Sequence, residues 1–309
     1  FLIFVAIFVL TMSVYLFTLA PTITAEDSGE LVTAAYTLGI AHPPGFPLYV
    51  ILGKLFTFIP LGTIAWRVNL MSAVFGALTA SLVYLSLNKI VRNKVISFAG
   101  ALLLAFSSTF WSQSVIAEVY TLNTFFIALL IYILLVWSEN RRVGYLYAFS
   151  LLYGLALTNH TATVLLAPAF IAYILSIDKK IIKDWKLIVK MFGLFLLGLS
   201  VYLFIPLRAF QRPVFNWGPI TTWKDVWTHI SRAQYNDFSP FSNTYSKIGI
   251  LIAFFVELYK QFFLPTLLLA AGGAAYLWKK GRALFWLTIG IFLLNSVAVI
   301  FLRKWGWNL

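Results

Sequence analysis

Phe1-Leu-Ile-Phe-Val-Ala-Ile-Phe-Val-Leu-Thr-Met-Ser-Val-Tyr-Leu-Phe-Thr-Leu19 runs directly into Ala20-Pro-Thr-Ile-Thr-Ala-Glu-Asp-Ser-Gly-Glu30. The first stretch is apolar and close to the roughly 20 residues that a bilayer-spanning helix requires. The second sets Glu26, Asp27 and Glu30 where such a helix would leave the hydrocarbon. A signal peptide is the weaker reading of 1–19, because no small-residue cleavage site precedes Pro21. The chain starts at Phe1 and stops at Leu309 after a Trp-rich segment, so both ends are expected to be incomplete.

Working outward, the same apolar character continues through the chain. It is 61% hydrophobic and 18% aromatic, and only 11% of its residues are charged. That composition excludes an ordinary soluble domain and predicts an all-α polytopic membrane protein. About nine spans are expected, at 1–19, 66–88, 95–110, 121–138, 143–158, 161–177, 187–207, 248–277 and 283–302. The stretch 248–277 contains Glu257, Lys260 and Pro265, which suit an interfacial helix leading into a shorter span. There is no cysteine, which excludes disulfides and thiol catalysis.

The net charge of +13 is a matter of topology rather than of nucleic-acid binding. More than half of the 23 Lys and Arg residues fall in four short connections, around 89–94, 141–142, 179–190 and 279–282. These loops are expected to be cytoplasmic. The opposite face then carries two long loops, 20–65 and 208–247, and a short one near 111–120. Seven of the ten acids lie on that outer side: Glu26, Asp27, Glu30, Glu118, Asp225, Asp237 and Glu257. Chemistry is expected on the outer face.

In the first loop, Asp27 and Glu30 have the spacing of a capping box for a helix over Ser28–Leu38. Gly39 suits its C-terminal cap, and Pro43 and Pro44 prevent continuation. A second helix is expected near Pro47–Ile59. Capping competes with catalysis as the reason for the acids, although a helix N-terminus also keeps a carboxylate ionised. In catalysis, one carboxylate would deprotonate an acceptor hydroxyl while a sugar leaves a lipid phosphate, which needs little protonation to depart. Cations would stabilise that phosphate. Arg67, Arg208, Arg303 and Lys304 are the outer-face cations available, with snorkelling anchors as their plain alternative.

His42, on a stiff Ala-His-Pro-Pro-Gly turn, would bind phosphate or donate to a sugar hydroxyl. Asn159 and His160, and Glu118 with Tyr120, mark two further outer junctions. A carboxylate at the edge of the hydrocarbon is costly enough to suggest a site. The second loop, from Arg208 through Arg212, Asn216-Trp-Gly, Trp223, Trp227 and Arg232, is dense in aromatic, amide and guanidinium groups. That mixture suits sugar, phosphate or peptide recognition; an interfacial aromatic belt is the plain alternative.

Several signatures are missing. There is no Walker loop, dinucleotide glycine pattern or nucleophile elbow. No His/Cys cluster has transition-metal spacing, and no cofactor or metal is expected. Without a soluble nucleotide fold, a lipid-linked donor fits better than a nucleotide sugar.

Leu19-Ala-Pro-Thr-Ile-Thr-Ala-Glu-Asp-Ser-Gly-Glu-Leu31, Ala34-Ala-Tyr-Thr-Leu-Gly-Ile-Ala-His-Pro-Pro-Gly-Phe-Pro-Leu-Tyr49 and Trp66-Arg-Val-Asn-Leu-Met-Ser-Ala73 resemble a multi-pass family. That family was long listed as a domain of unknown function and is grouped with the protein O-mannosyltransferases of the GT-C class. Ile116-Ala-Glu-Val-Tyr-Thr-Leu-Asn123, Gly154-Leu-Ala-Leu-Thr-Asn-His-Thr161, Asn216-Trp-Gly218 and Arg232-Ala-Gln-Tyr235 resemble its motifs as well. The resemblance implies one GT-C transmembrane domain over residues 1–309. It implies a polyprenyl- or dolichyl-phosphate sugar donor, often mannose, and inverting transfer to a hydroxyl on a protein or glycan. It implies an acidic base at Glu26-Asp27, with Asp27 acting and Glu26 and Glu30 in support. The expected partners are membrane lipid, the lipid-phosphate donor and the acceptor, with no nucleic acid. The expected setting is a bacterial or archaeal cytoplasmic membrane rather than the endoplasmic reticulum, with the site on the non-cytoplasmic face. A transporter or flippase is the competing function, and a non-catalytic scaffold subunit is the third. Transport predicts ionisable residues at the midplane of several spans, whereas the acids here cluster at one surface.

Overall fold

Helix length decides which of the apolar runs can cross a bilayer. In a computed structural model of the chain, described over residues 1–235 and 247–297, the described residues are helical with irregular connections and no strand. The helices are α1 (Leu2–Thr18), α2 (Ser28–Thr37), α3 (Pro47–Phe56), α4 (Ile64–Val91), α5 (Lys94–Ala105), α6 (Ser108–Ser114) and α7 (Tyr120–Asn140). They continue with α8 (Val143–Asn159), α9 (Ala167–Ile177), α10 (Trp185–Leu199), α11 (Phe204–Phe210), α12 (Trp223–Ser231), α13 (Lys247–Lys280) and α14 (Arg282–Phe292).

All nine apolar runs contain helix, yet fewer have the length to span. Among the described residues, four stretches are long and apolar enough: Ile64–Val91, Tyr120–Asn140, Trp185–Phe210 and Ile248–Lys280. The pair α5 and α6, bent by 65°, makes a fifth if counted as one span. By this measure the expected nine spans are not confirmed, because local chemistry interrupts several of the runs. The run at 161–177 opens as a 3-10 turn, Thr161–Leu166, and only 11 residues of α-helix follow. The run at 1–19 yields 17 helical residues, and so does that at 143–158. At about 1.5 Å per residue, 17 residues fall short of a 30 Å core unless the flanks or the bilayer adjust.

The chain divides into two compact units. The first comprises Phe1–Thr161 and Lys190–Trp227. Its centre is α4, which packs against α1, α5 and α7, while α7 packs on α8. Lipid offers little hydrophobic drive for helix association, so close approach matters more. Accordingly, α4 buries Ala65, Ser72, Ala73, Gly76, Ala77, Ala80 and Ser81. At one end of this unit Lys89 pairs with Glu139, joining α4 to α7. At the other end α2 and α3 pack on each other; α2 also packs on α4, and α3 on α4 and α8. The second unit comprises Ala162–Val189 and the described residues from Thr228 on. In it α14 packs against α9 and α13. Helix α13 kinks at Phe263 (φ 54°, ψ 159°), two residues before Pro265. Proline lacks the N–H for the helical ladder and clashes with the preceding turn. A cleft of about 880 Å³ beside α13 and α14 is lined by Ile250, Phe254, Leu258, Ile291 and Phe292.

Candidate functional site

The acids of the first long loop do not perform the capping role expected of them. Asp27 precedes α2 at φ −88°, ψ 4°, and its side chain makes no cap hydrogen bond. Glu26 before it sits at φ 64°, in the left-handed region that non-glycine residues seldom occupy. Glu30 is drawn away from the helix start. Its Oε1 accepts the His42 backbone N–H at 2.6 Å and lies 3.0 Å from His42 Nδ1. A carboxylate oxygen accepts, so this contact suits the tautomer with the proton on Nδ1, and Nε2 faces the other way. That nitrogen lies 3.8 Å from Asp27 Oδ2. The three side chains differ in exposure: Asp27 is 53% exposed, Glu30 13% and His42 14%. The sequence offers no His/Cys cluster, but the fold gathers Asp27, Glu30 and His42, whose ligand atoms lie within 4.8 Å of one another. These are the described residues that could hold a cation.

Glu118 completes the cluster from 91 residues away. Its Oε1 accepts the backbone N–H of Asp27 at 3.2 Å, and Glu118 itself is 2% exposed. Its own backbone is fixed by the Ser72 hydroxyl, which donates to the Glu118 carbonyl and accepts the Glu118 N–H, both at 3.4 Å. Burial pushes the Glu118 carboxyl up to about 7, and the charges of Asp27 and Glu26 push in the same direction. The Tyr49 hydroxyl of α3 is raised for the same two reasons, burial first and Glu118 second. Asn69 fastens the start of the loop by donating to the carbonyls of Ala20 (2.8 Å) and Thr22 (3.1 Å). The Gln113 amide donates to Glu26 Oε2 at 3.5 Å.

The other expected site residues divide into those the fold brings near and those it uses elsewhere. His160 is buried between Phe46 (ring centroids 6.5 Å) and Tyr120 (6.0 Å), and Phe46 lies 4.9 Å from His42 on centroids. Asn159 donates to the Val119 carbonyl at 3.1 Å, fixing the backbone beside Glu118. Arg67 is not at the acids. Its guanidinium donates to the carbonyls of Leu61 (2.7 Å), Thr57 (2.8 Å) and Gly62 (3.1 Å). Arg208 holds the end of α2 through the carbonyls of Leu38 (2.7 Å) and Thr37 (3.2 Å), with Gln211 as a further partner. A rigid fork of donors suits clustered carbonyls as well as it suits phosphate. Among the described residues, no Lys or Arg pairs with Glu26, Asp27, Glu30 or Glu118. Asp237, Arg303 and Lys304 lie outside the described residues.

One site residue was named in the sequence only as part of the aromatic second loop and its Asn216-Trp-Gly motif. Trp217 reaches His42, with ring centroids 5.7 Å apart and an edge-on angle of 63°. It is brought there by a short parallel bridge between Ile40 and Asn216. Ile40 N–H donates to Phe215 O (3.1 Å), and Trp217 N–H donates to Ile40 O (3.0 Å). Gly39 makes this possible. The left-handed cap residue is Leu38 (φ 51°), not the glycine expected there. Gly39 is needed because a Cβ would lie 2.5 Å from the Phe215 carbonyl oxygen. The Asn216-Trp-Gly motif was the available signal.

Fold and site together define an integral membrane protein, all-helical in its described residues, with acids gathered around a histidine at one end of a helix bundle. The chain belongs to the family of the protein O-mannosyl-transferase TMEM260 N-terminal domain, whose model matches residues 27–183. It is 34% identical over 247 residues to protein O-mannosyl-transferase TMEM260 of Mus musculus, covering 76% of this chain and 34% of that protein. It is 29% identical over 275 residues to protein O-mannosyl-transferase tmem260 of Dictyostelium discoideum, covering 80% of this chain and 33% of that one. The chain thus spans about a third of the length of these relatives. Both are eukaryotic and lend no support to the bacterial or archaeal membrane expected from the sequence. No solved structure matches the chain.

Proposed function

We propose that this chain carries the catalytic centre of a GT-C membrane glycosyltransferase, which moves mannose from a polyprenyl- or dolichyl-phosphate to a protein Ser or Thr hydroxyl with inversion. Mannose and the protein acceptor follow from what the relatives are named for. The lipid donor, the GT-C class and the non-cytoplasmic face follow from the sequence resemblance and the Lys/Arg asymmetry. The observation that carries the reading is the state of Asp27: half-exposed, not engaged in capping, and set against His42 and Glu118.

In this reading Asp27 takes the proton of the acceptor hydroxyl as its oxygen attacks the anomeric carbon. The bond from that carbon to the phosphate oxygen breaks, and polyprenyl phosphate leaves. General-base help of this kind contributes about a hundredfold to ten-thousandfold. Glu30 fixes the tautomer and orientation of His42, which faces Asp27 through Nε2 and supplies positive charge when protonated. Glu118 holds the Asp27 backbone.

The test is mannose transfer to a Ser/Thr peptide by the membrane-reconstituted protein, with the product's anomeric configuration read by NMR. Polyprenyl-phosphate mannose should serve as donor, and the linkage should be inverted. Transfer from a nucleotide sugar in its place, or retention of configuration, would contradict the reading.

A further inference from the structure

Eleven tryptophans are spread along the chain, and most suit an interfacial belt. Trp223 and Trp227 are of that kind, exposed at 67% and 70%. Trp217 is different. It is half-exposed (50%), yet its backbone is hydrogen-bonded to Ile40, and its ring meets that of His42. Arg208 secures the same junction by holding the carbonyls of Thr37 and Leu38, just before Gly39 and Ile40. The fold therefore fixes an open indole beside the acid–histidine cluster from two directions. A large amphipathic ring held rigidly beside a polar site gives contact area at little entropic cost.

We infer that Trp217 is the residue on which the transferred pyranose packs its C–H face, and so a determinant of sugar binding. This rests on the glycosyl-transfer reading above. Packing on the indole places the ring of the sugar beside His42, while its hydroxyls face the polar cluster. The lipid chain and phosphate make no use of Trp217. The inference thus separates the sugar from the rest of the donor.

The experiment uses the full-length, membrane-reconstituted protein as wild type, Trp217→Leu and Trp217→Phe. Two quantities are compared: KM for polyprenyl-phosphate mannose, and the inhibition constant of polyprenyl phosphate without sugar. Trp217→Leu should raise the donor KM about tenfold, the scale of one lost aromatic contact. It should leave the inhibition constant of the sugar-free lipid unchanged, and Trp217→Phe should fall close to wild type. A merely structural role would move both constants together and would overturn the inference, as would an unchanged donor KM.

A second readout avoids dependence on the folding of the Leu variant. In fluorotryptophan-labelled protein, the resonance missing from Trp217→Phe should shift with mannosyl lipid and stay in place with sugar-free lipid. Equal shifts, or none, would overturn the inference. Wild-type protein that transfers no mannose from the lipid donor would instead remove the activity on which the inference rests.

Discussion

Two helix starts in the two long loops carry the same spacing of polar residues and use it in opposite ways. At α12, Thr222 Oγ1 accepts the Asp225 N–H at 3.2 Å, and Asp225 Oδ2 accepts the Thr222 N–H at 2.8 Å. Asp225 also takes the N–H and hydroxyl of Thr221, and these bonds hold its carboxyl down to about 2. That is a complete capping box, and it accounts for this acid without any chemistry. At α2, Asp27 and Glu30 stand at the same interval, yet Asp27 makes no cap bond and Glu30 binds His42. A helix gives up roughly 1 kcal/mol when a good cap is unused. The comparison therefore separates acids that stabilise a helix from acids held ready for something else.

The widest split between the two starts should be in turnover. His42→Ala should lower mannose transfer about a hundredfold, the lower end of what acid–base groups contribute. Glu30→Gln keeps an acceptor for the His42 N–H but loses the charge, so it should fall between that variant and wild type. Wild-type turnover in both, measured in the same reconstituted assay, would return α2 to the class of ordinary helix starts.

Next comes stability against pH at the acid that braces Asp27. Glu118 titrates at about 7 in the fold against an ordinary 4.5, so the folded state holds its proton more tightly than the unfolded state does. Stability should therefore fall as pH rises from 4.5 to about 7, and stay reduced above that. The full span amounts to about 3 kcal/mol. Glu118→Gln keeps an oxygen for the Asp27 N–H and should flatten this dependence, with Asp27, Glu26 and Tyr49 still facing the position. Thermal unfolding of both proteins between pH 4.5 and 8 checks it. Parallel curves would show that Glu118 bears no such burden.

The smallest effect belongs to α12. Thr222→Ala should cost about 1 kcal/mol, read as a lower unfolding temperature, with no change in transfer. Acid should reveal Asp225 with the opposite sign to Glu118. Its carboxyl is lowered from 3.8 to about 2, so its contribution is intact above 3.8 and is lost as pH falls through that interval. Loss of transfer in Thr222→Ala would blur the contrast between the two helix starts.

Much of this was legible in the sequence, for reasons that are local. The apolar run of α1 and the start of α2 at Ser28 follow from composition and spacing. His42, Glu30 and Asp27 fall within sixteen residues, so a tight turn suffices to bring them together. What could not be read depends on distant partners. Arg67 and Arg208 look like phosphate ligands until the carbonyls of residues 57–62 and 37–38 are placed against them. The contacts from Glu118 to Asp27 and from Asn216 to Ile40 join residues 91 and 176 positions apart, beyond any local pattern. Nine spans are not confirmed because hydropathy registers apolar content, whereas the 3-10 turn at Thr161–Leu166 and the 65° bend between α5 and α6 shorten the helices of the described residues.

The central claim is that Asp27, and not its neighbour, takes the acceptor's proton. Asp27→Asn and Glu26→Gln, compared in one reconstituted transfer assay with folding checked by thermal unfolding, test it most directly. Asp27→Asn should lose at least about a hundredfold in turnover, while Glu26→Gln keeps most of it. A folded Asp27→Asn protein transferring at the wild-type rate, or an inactive Glu26→Gln beside an active Asp27→Asn, would contradict the account.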